Sequence, residues 1–475
     1  MYKFHFQPSD GYLGDCMPFY WDGQYHIFYL KASLQNTGVE NLIWSHIKSK
    51  DLLHWEELPD VLCPGSDENA PDKDGCWSGS VIHHQGKFYI FYTGVRGFGT
   101  EHFQQSICIA QSDDLIHFHK SRQNPILSMD TELYSVGWSD PFVFWNKNDG
   151  IFWMLITTQG RGKIRTRNGC IGLAKSADLK QWEVHKPFYY PNTILYPEVS
   201  ELFTCNGRWY LLYCESADFC RGHYRVSENI RGPWRMPAKS DSFDASEFYA
   251  MKTVFDGHDR YGFGWIRRKQ GDKDEGMPMW GGALGIARKI TAAEDGSLKV
   301  YYPNSFKGCE SQKTAIVPQS IYGKLETEGN NFRIGIAHGG ALAMCMADQD
   351  HFYFRSKIAF SDAAPYFGVI FRAKEDFSNA YKIRFDRPSG NITAEYLGSD
   401  ATMFKSPWGL AQRPLSFCDK NEFEFEMFVD LDIVEVFVDR ELAMSFRAYE
   451  RPGMGFAFFV DQGLVEFTDH EFYVI

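Results

Sequence analysis

The stretch Gly23-Gln24-Tyr25-His26-Ile27-Phe28-Tyr29 decides the fold, because copies of it return along much of the chain. Each copy sets a turn residue before a run of β-branched and aromatic residues, which is typical of a strand that follows a tight turn. The copies follow one another at about 50 to 65 residues, a period at which repeat architectures are built. They lie at 86–92, 150–155, 207–213 and, in degenerate form, 259–265.

A second word repeats in phase with the first. It reads Ser49-Lys50-Asp51-Leu52-Leu53-His54-Trp55, and its copies lie at 112–118, 176–182 and, more altered, 227–234. A Ser-Asp turn before an aromatic residue indicates the end of one strand and the start of the next. Two words that keep one spacing predict a unit of several strands repeated five times, which is a propeller blade. A plain sandwich of many strands does not explain the shared phase.

The repeat words stop after Tyr302, and a different rhythm follows. Apolar and polar residues alternate with period two, as in Phe423-Glu424-Phe425-Glu426-Met427, and turns such as Pro388-Ser389-Gly390-Asn391 separate the runs. Such alternation predicts a β-sandwich. The sequence therefore predicts an all-β protein, with a five-bladed β-propeller over 1–310, a linker over 311–324 and a C-terminal β-sandwich over 325–475.

The composition argues against several classes of function. Asp and Glu number 61 against 49 Lys and Arg, a net charge of -12, which disfavours nucleic acid or an anionic membrane as the partner. The 11 cysteines form no C-x-x-C pair, so we expect free thiols and no zinc site. No apolar run is long enough for a membrane helix, and the N-terminus lacks a secretion signal, so we expect a cytoplasmic protein.

Three carboxylates stand at equivalent places just upstream of the first repeat word: Asp15, Asp140 and Glu198. Because the innermost strand of each blade lines the channel of a propeller, we expect them to converge on one pocket at the axis. A protonated carboxyl group can give a proton to a leaving oxygen while an ionised one attacks the anomeric carbon or activates water. The pattern favours glycoside cleavage without metal or cofactor over a calcium site, because no Asp-rich loop spacing is present.

The same words resemble the motifs of glycoside hydrolase family 32, which includes invertases, levanases and inulinases. The resemblance extends over nearly the whole chain and implies Asp15 as the nucleophile, Asp140 as the stabiliser of the transition state and Glu198 as the acid/base. It rests on Tyr12-Leu13-Gly14-Asp15-Cys16-Met17-Pro18, Trp44-Ser45-His46, Trp77-Ser78-Gly79-Ser80, Ser139-Asp140-Pro141, Glu198-Val199-Ser200-Glu201-Leu202-Phe203, Glu247-Phe248-Tyr249-Ala250 and Ile433-Val434-Glu435-Val436-Phe437-Val438-Asp439.

Aromatic and hydroxyl side chains of these motifs are candidates for binding the substrate. The high aromatic content of 16% suits a pocket that stacks on sugar rings. We expect a blind funnel at the axis, and core packing is the alternative for each aromatic residue, Trp280 above all. The predicted binding residues are Trp44, Trp77, Ser78, Tyr249 and Trp280.

The neighbours of the carboxylates depart from the family motifs. Gly14 stands where the family has Asn, Leu30 where it has Gln and Ser139 where it has Arg, and the residues at 17–18 and 199–200 differ too. Polar groups expected to hydrogen-bond a fructose ring are therefore missing, and a site that loses such a partner loses affinity. The departures leave another furanoside, or an unusual fructoside, open as the substrate.

The leading hypothesis is a retaining exo-glycosidase of fructosidase type that hydrolyses short fructosides such as sucrose, inulobiose or levan-type oligosaccharides. The alternatives are an inverting arabinofuranosidase or xylosidase of family 43, which also places Asp, Asp and Glu around the axis, and a non-catalytic sugar-binding propeller. A fructosyltransferase would use the same residues. The expected partner is a small oligosaccharide, and the oligomeric state stays open.

Overall fold

The computed structural model describes residues 1–35, 38–215, 217, 221–306, 312–336, 338–347, 349–398, 408–418 and 420–475. Its regular structure is almost entirely β-strand, as predicted, with short 3-10 helices at Arg165–Arg167, Gln270–Asp272 and Asn304–Phe306. No helix in these ranges has the length and apolar character needed to span a bilayer.

Tight turns explain why the first repeat word forms a hairpin. Gly23, Gly86 and Gly207 have φ angles of 74°, 76° and 73°, and the residue before each of them also has a positive φ. Two successive residues with positive φ form a type I′ turn, whose twist matches that of paired strands, and glycine adopts this conformation without a steric penalty. The aromatic run after each glycine therefore pairs antiparallel with the strand before it.

The second repeat word forms a turn closed by its own side chains. Ser49 Oγ accepts hydrogen bonds from the backbone N–H groups of Asp51 and Leu52, and the Asp51 carboxylate accepts from those of the two residues after Leu52. Leu52 has a φ of 69°, and its side chain is buried. The copies at 112–118 and 176–182 make the same bonds. Ser and Asp two residues apart thus bind the backbone, and the leucine anchors the turn in the core.

The propeller part consists of antiparallel sheets, in which most paired strands follow one another in the chain. The strands are β1 (Gly11–Trp21), β2 (Gln24–Ser33), β3 (Ile43–Ser49), β4 (Glu56–Leu62), β5 (Gly75–His84), β6 (Lys87–Arg96), β7 (Gln104–Ser112), β8 (His119–Lys120), β9 (Tyr134–Asn146), β10 (Ile151–Gly160), β11 (Gly169–Ser176), β12 (Glu183–Tyr189), β13 (Glu198–Cys205), β14 (Arg208–Glu215), β15 (Arg221–Ser227), β16 (Phe248–Phe255), β17 (Arg260–Lys269), β18 (Pro278–Leu284), β19 (Arg288–Ala292) and β20 (Leu298–Tyr301).

These strands form three separate sheets and one larger, joined sheet. Strands β5–β8, β9–β12 and β13–β15 each form a separate sheet. Strands β1–β4 and β16–β20 share a nine-stranded sheet, because Leu13 of β1 pairs with Gly282 of β18. The start of the repeat region is thereby joined to its end. The count of five blades stays a prediction.

Two further sheets form the C-terminal sandwich, which confirms the predicted order of propeller and sandwich. An eight-stranded sheet has the order β23-β24-β35-β26-β31-β32-β33 with β21 added to β35, and a seven-stranded sheet has the order β22-β25-β34-β27-β28-β29-β30. The strands are β21 (Gln312–Thr314), β22 (Gln319–Tyr322), β23 (Leu325–Glu328), β24 (Asn331–Ile336), β25 (Ala341–Met346), β26 (His351–Phe360), β27 (Tyr366–Ala373), β28 (Asn379–Asp386), β29 (Asn391–Gly398), β30 (Trp408–Pro414), β31 (Glu422–Asp430), β32 (Ile433–Val438), β33 (Leu442–Arg447), β34 (Gly455–Val460) and β35 (Gly463–Val474).

The segment predicted as a linker is partly built into the sandwich. Within 311–324, β21 pairs with β35 and β22 pairs with β25. The predicted boundary between residues 310 and 311 lies outside the described residues. Short strands of three or four residues carry too little periodic pattern to be recognised before their partners are known.

Buried polar contacts join the propeller to the sandwich. The Arg288 guanidinium is fully buried and pairs with Asp244 (2.7 Å) and with Glu435 of β32 (2.6 Å). His5 bridges Asp430 and Glu435 at 2.8 and 3.0 Å. Burial disfavours the charged imidazole, but these two carboxylates raise the pKa of His5 to about 9. Glu435, which belongs to one of the family-like motifs, is therefore an interdomain residue.

Candidate active site

One cavity gathers the three carboxylates that the repeat phase singled out. Its volume is about 520 Å³, which lies in the range of pockets that bury a small ligand. Asp15 reaches it from β1, Asp140 from β9 and Glu198 from β13, so three different sheets contribute one carboxylate each. Of the predicted binding residues, the cavity wall contains Trp77, Ser78, Tyr249 and Trp280.

Asp15 lies in a bulge of β1, where the pairing with β2 changes register. Its carboxylate accepts hydrogen bonds from the Ser78 hydroxyl (2.5 Å) and from the Trp265 indole N–H (3.0 Å). Burial raises the pKa of Asp15 to about 6, the charge of Asp140 adds to this rise, and the two hydrogen bonds oppose it. At neutral pH Asp15 is therefore ionised and held in a fixed orientation, as a carboxylate nucleophile requires.

Asp140 is buried and held from both sides. Its backbone N–H donates to the Thr93 hydroxyl (2.9 Å), and its Oδ2 accepts from the backbone N–H of Val199 (3.1 Å). Burial raises the pKa of Asp140, and the Val199 hydrogen bond opposes that rise. Because Thr93 and Val199 belong to the two neighbouring sheets, the position of this carboxylate depends on how three sheets pack together.

Glu198 is the first residue of β13 and precedes a bulge in the pairing with β14. The Tyr249 hydroxyl of β16 donates to Glu198 Oε2 at 2.5 Å. The Tyr249 ring also packs edge-on against Trp265 at 5.7 Å. Since Trp265 binds Asp15, these contacts connect the two carboxylates that the family resemblance assigns as acid/base and nucleophile.

The backbone around the cavity is strained at corresponding places. Asp140, Val199 and Ala250 have φ angles of 54°, 47° and 53°, a region that residues with a Cβ rarely adopt. Each lies on the strand that carries a cavity residue, next to a bulge in the pairing. Such conformations cost about 1 to 3 kcal/mol each and persist only where the surrounding structure imposes them. Here the strained residues lie beside or at Asp140, Glu198 and Tyr249, which line the cavity.

Trp44 is not part of the cavity wall, contrary to the prediction. Its side chain is fully buried in the core between β3 and its neighbours, and its indole N–H donates to the carbonyl oxygen of Trp77 at 3.1 Å. A buried tryptophan needs a partner for its N–H, and the backbone of Trp77 provides it. Trp44 therefore supports a residue of the wall without touching the cavity.

Trp280 does line the cavity, and Gly14 explains how it fits. A Cβ at position 14 would lie 2.2 Å from the Trp280 ring, which is far inside contact distance. The same indole packs on Trp265 with ring centres 5.7 Å apart. The glycine beside Asp15, one of the departures from the family motif, thus leaves the space that the Trp280 ring occupies.

Several residues of the cavity escaped the sequence analysis. Trp265 closes the degenerate copy of the first repeat word, and Arg267 lies two residues further on the same face of β17, so period two could have found both. Phe98 and Phe103 pack on Trp77 with ring centres 5.6 and 6.1 Å apart. They lie in the loop after β6, where no periodic signal exists.

The described residues contain no group of three or more His, Cys, Asp or Glu side chains placed to hold a metal ion. The expectation of catalysis without a metal stays a prediction. Carboxylates that converge in an aromatic cavity are the arrangement with which glycoside hydrolases cleave sugars.

Comparison with known proteins agrees with this class. The profile of the Glycosyl hydrolases family 32 N-terminal domain matches residues 5–303, and that of the family's C-terminal domain matches residues 320–474. The chain belongs to glycosyl hydrolase family 32. This confirms the family and the enzyme class that its motifs predicted.

Similar proteins of known name cover much of the chain. A sucrose-6-phosphate hydrolase of Escherichia coli is 27% identical over 74% of this chain and 74% of its own length. A fructan 1-exohydrolase of Leymus chinensis is 29% identical over 64% of this chain, but the match spans only 54% of that protein. The crystal structure of fructan 1-exohydrolase IIa from Cichorium intybus, 17% identical, superimposes with a TM-score of 0.77 over 100% of this chain and 97% of that one.

Proposed function

We propose that this protein is a retaining exo-glycosidase of fructosidase type, in which Asp15 is the nucleophile, Glu198 the acid/base and Asp140 a stabiliser of the transition state. The observation that carries the proposal is the convergence of these three carboxylates on one cavity. Membership of family 32 favours fructosides over the substrates of family 43 enzymes. The names of the relatives, which refer to sucrose phosphate and fructans, support the same class of substrate.

The contacts of the three carboxylates suit these roles. Asp15 is ionised above pH 6 and accepts two hydrogen bonds that aim it, so it can attack the anomeric carbon. Glu198 gives a proton to the leaving oxygen as the glycosidic bond breaks and the bond to Asp15 forms. It later removes a proton from the water that displaces Asp15 from the anomeric carbon. Asp140, fixed through its own backbone N–H and by Val199, can hydrogen-bond hydroxyl groups of the sugar ring, and these bonds strengthen as the ring becomes planar.

The surroundings of the cavity favour short substrates. We expect the cavity to be a funnel that is closed behind the carboxylates, so that a sugar enters from one side and its terminal unit is the one cleaved. Trp77, Phe98, Phe103 and Trp280 offer flat apolar faces to a following sugar ring. An enzyme that removes terminal units from di- or oligosaccharides fits a cytoplasmic location, which we also propose.

Charge in the cavity favours an unphosphorylated substrate. Among the described residues of its wall, Arg267 is the one with a positive charge, and its guanidinium lies 3.6 Å from the Glu247 carboxylate. The carboxylates of Asp15, Asp140 and Glu198 also line the cavity. A phosphate dianion would be repelled, so we expect sucrose to be cleaved faster than sucrose 6-phosphate.

A hydrolysis screen tests the proposal. The purified protein is incubated with sucrose, inulobiose, levan oligomers, sucrose 6-phosphate, an arabinofuranoside and a xyloside, and released monosaccharides are quantified with and without EDTA. Asp15→Asn, which keeps the shape and removes the charge, is the control. We expect fructose release that EDTA does not reduce and that the control lacks. Proton NMR in the first minutes should show the β-anomer of fructose, as retention requires.

Other outcomes would contradict the proposal in distinct ways. Release of arabinose or xylose with inverted configuration would indicate the family 43 type of reaction. Binding of a sugar without hydrolysis would indicate a non-catalytic propeller. Longer fructosides as main products would indicate a fructosyltransferase. Activity lost with EDTA and restored by calcium or zinc would contradict catalysis by carboxylates alone.

A further inference from the structure

Lys252 of β16 is a fully buried lysine close to the candidate active site. Only about 2% of the residue is exposed, and it is not part of the wall of the cavity. Its Nζ donates to the carbonyl oxygen of Gly79 in β5 at 3.1 Å and lies 5.4 Å from the centre of the Phe142 ring in β9. One side chain therefore touches two other sheets of the propeller behind the carboxylates.

The carbonyl group that Lys252 binds belongs to the segment that holds Asp15. Gly79 follows Ser78, whose hydroxyl donates to the Asp15 carboxylate. The Ser78 carbonyl oxygen accepts from the Thr93 hydroxyl at 3.0 Å, and the same hydroxyl accepts from the Asp140 backbone N–H. Hydrogen bonds and the peptide link between Ser78 and Gly79 thus connect Lys252 with the Asp15 carboxylate and with the backbone of Asp140.

Gly79 cannot move freely within this network. A Cβ at position 79 would lie 1.8 Å from the Phe91 carbonyl oxygen, so the strand already presses against its neighbour in β6. The bulge between Trp77 and Gly79 directs the Ser78 hydroxyl toward Asp15. Lys252 binds the carbonyl group of Gly79 at this bulge and so restrains it.

Lys252 also lies where carboxylates are crowded. Glu201, Asp140 and Asp15 all interact electrostatically with its ammonium group. Burial lowers the pKa of Lys252, and these carboxylates oppose that change. A positive charge at this place favours the ionised forms of Asp15 and Asp140.

We propose that Lys252 is a positioning residue of the active site, which restrains the Ser78–Gly79 bulge and faces Asp15 and Asp140 with a buried positive charge. The proposal rests on the proposed function of Asp15 as the nucleophile. Lys252 lies outside the cavity wall, but it keeps the Asp15 carboxylate oriented and ionised. Glu201 interacts with the same ammonium group and so helps to hold Lys252 in place.

Lys252→Met tests the proposal, because it keeps the aliphatic stem and removes the charge. The first measurement does not need a substrate. Trp265 donates its indole N–H to Asp15, so protonation of Asp15 changes the tryptophan fluorescence, and the difference between the protein and Asp15→Asn isolates this titration. We expect a midpoint near pH 6 in the wild type and one higher by about one unit or more in Lys252→Met.

The second measurement is the pH profile of kcat/KM on the best fructoside. Its acidic limb should move upward by the same amount, and at its plateau kcat should fall at least about tenfold with little change in KM, because aiming matters in the transition state. The titratable groups that interact with Asp15 are Asp140, Lys252, Cys16 and Cys214. Both thiols have pKa values raised by burial, so they stay neutral over this range.

A double variant separates this role from a purely structural one. Glu201 accepts hydrogen bonds from the backbone and the hydroxyl of Thr253 and lies 3.9 Å from Arg260. Glu201→Gln/Lys252→Met removes one charge of each sign and keeps the buried charge balanced. If Lys252 acts on Asp15, the double variant shows the same upward shift as Lys252→Met. If Lys252 merely neutralises Glu201, the double variant returns to wild-type behaviour, which overturns the proposal.

The remaining outcomes are also decisive. An unchanged fluorescence midpoint in a folded Lys252→Met overturns the proposal whether or not a substrate is known. Failure of both variants to fold, judged by circular dichroism, overturns it too, because Lys252 would then serve the fold. Absence of fructosidase activity in the wild type, with the midpoint shifted as expected, contradicts the proposed function but not the effect of Lys252 on Asp15.

Discussion

Replacing Ser78 by alanine tests whether one hydrogen bond sets the pH at which Asp15 ionises. The Ser78 hydroxyl donates to Asp15 Oδ2 at 2.5 Å, and a hydrogen bond to a charged group contributes about 1.5 to 3 kcal/mol. This bond stabilises the ionised carboxylate, so its loss raises the pKa. Since about 1.4 kcal/mol corresponds to one pKa unit, we expect a rise of roughly one to two units from the value of about 6.

The assay is the pH dependence of kcat/KM between about pH 4 and pH 9 on the best fructoside of the screen. The acidic limb should move from near pH 6 to between about pH 7 and pH 8, while activity at alkaline pH changes less. Ser200→Ala is the matched control. Ser200 is buried close to Glu198, and its hydroxyl has no hydrogen-bond partner within the described part of the chain, so its removal should leave the profile unchanged.

Two results would refute the reasoning. An acidic limb that stays in place in a folded Ser78→Ala variant would show that this bond does not stabilise the ionised nucleophile. An equal shift in Ser200→Ala would show that the limb reports general packing near the cavity and not the hydrogen bond to Asp15.

Four further predictions concern single features of the structure. Asp15→Asn should lower kcat at least about a thousandfold and leave sugar affinity, measured by calorimetry, nearly unchanged, because it removes charge and keeps shape; a large loss of affinity would count against a nucleophilic role. Glu198→Gln should slow hydrolysis of sucrose more than that of an activated aryl fructoside, whose leaving group needs little protonation, and equal losses on both would contradict its acid role. Gly14→Asn should unfold at a lower temperature because the new side chain collides with the Trp280 ring. Gly14→Asn/Trp280→Ala should recover stability, and no recovery would show that Trp280 is not the cause of the loss. The pKa of His5 is about 9 in the fold, above its ordinary 6.5. Protonated His5 should therefore stabilise the protein fully below pH 6.5, and the free energy of unfolding should fall by an amount on the order of 3 kcal/mol as the pH rises through 9. A melting temperature that falls equally in the wild type and in His5→Gln between these pH values would contradict this.

Local hydrogen bonding made much of the fold predictable. The turn at Ser49 and Asp51 is closed by side chains that bind backbone groups within three residues, and Gly23 takes a positive φ whatever lies beyond the hairpin. Such interactions depend on neighbours in the chain only, so the repeat words show them directly. The phase of these words also indicated that Asp15, Asp140 and Glu198 occupy equivalent strands.

Contacts between distant strands could not be predicted in the same way. The alternation in β31 and β32 indicated a sandwich with one polar face, but Glu426 and Glu435 are buried against the propeller, where Tyr301, Tyr302 and Arg288 bind them. Alternation with period two shows which residues lie on the same face of a strand, but it does not show what packs against that face. The prediction that Trp44 lines the cavity is wrong for the same reason. A motif shows that an aromatic residue is present, but it does not show which way the side chain packs.

The sequence by itself determined the class of fold, the family and the set of three carboxylates, because these depend on spacing and on short motifs. The tertiary structure alone decided which partners the carboxylates have. The partners come from other strands and are Ser78, Trp265, Tyr249 and Lys252. The local sequence pattern shows neither the direction of these side chains nor their burial. The reason is physical: a hydrogen bond across the axis, and the pKa that follows from it, exist only after the sheets have packed and excluded water.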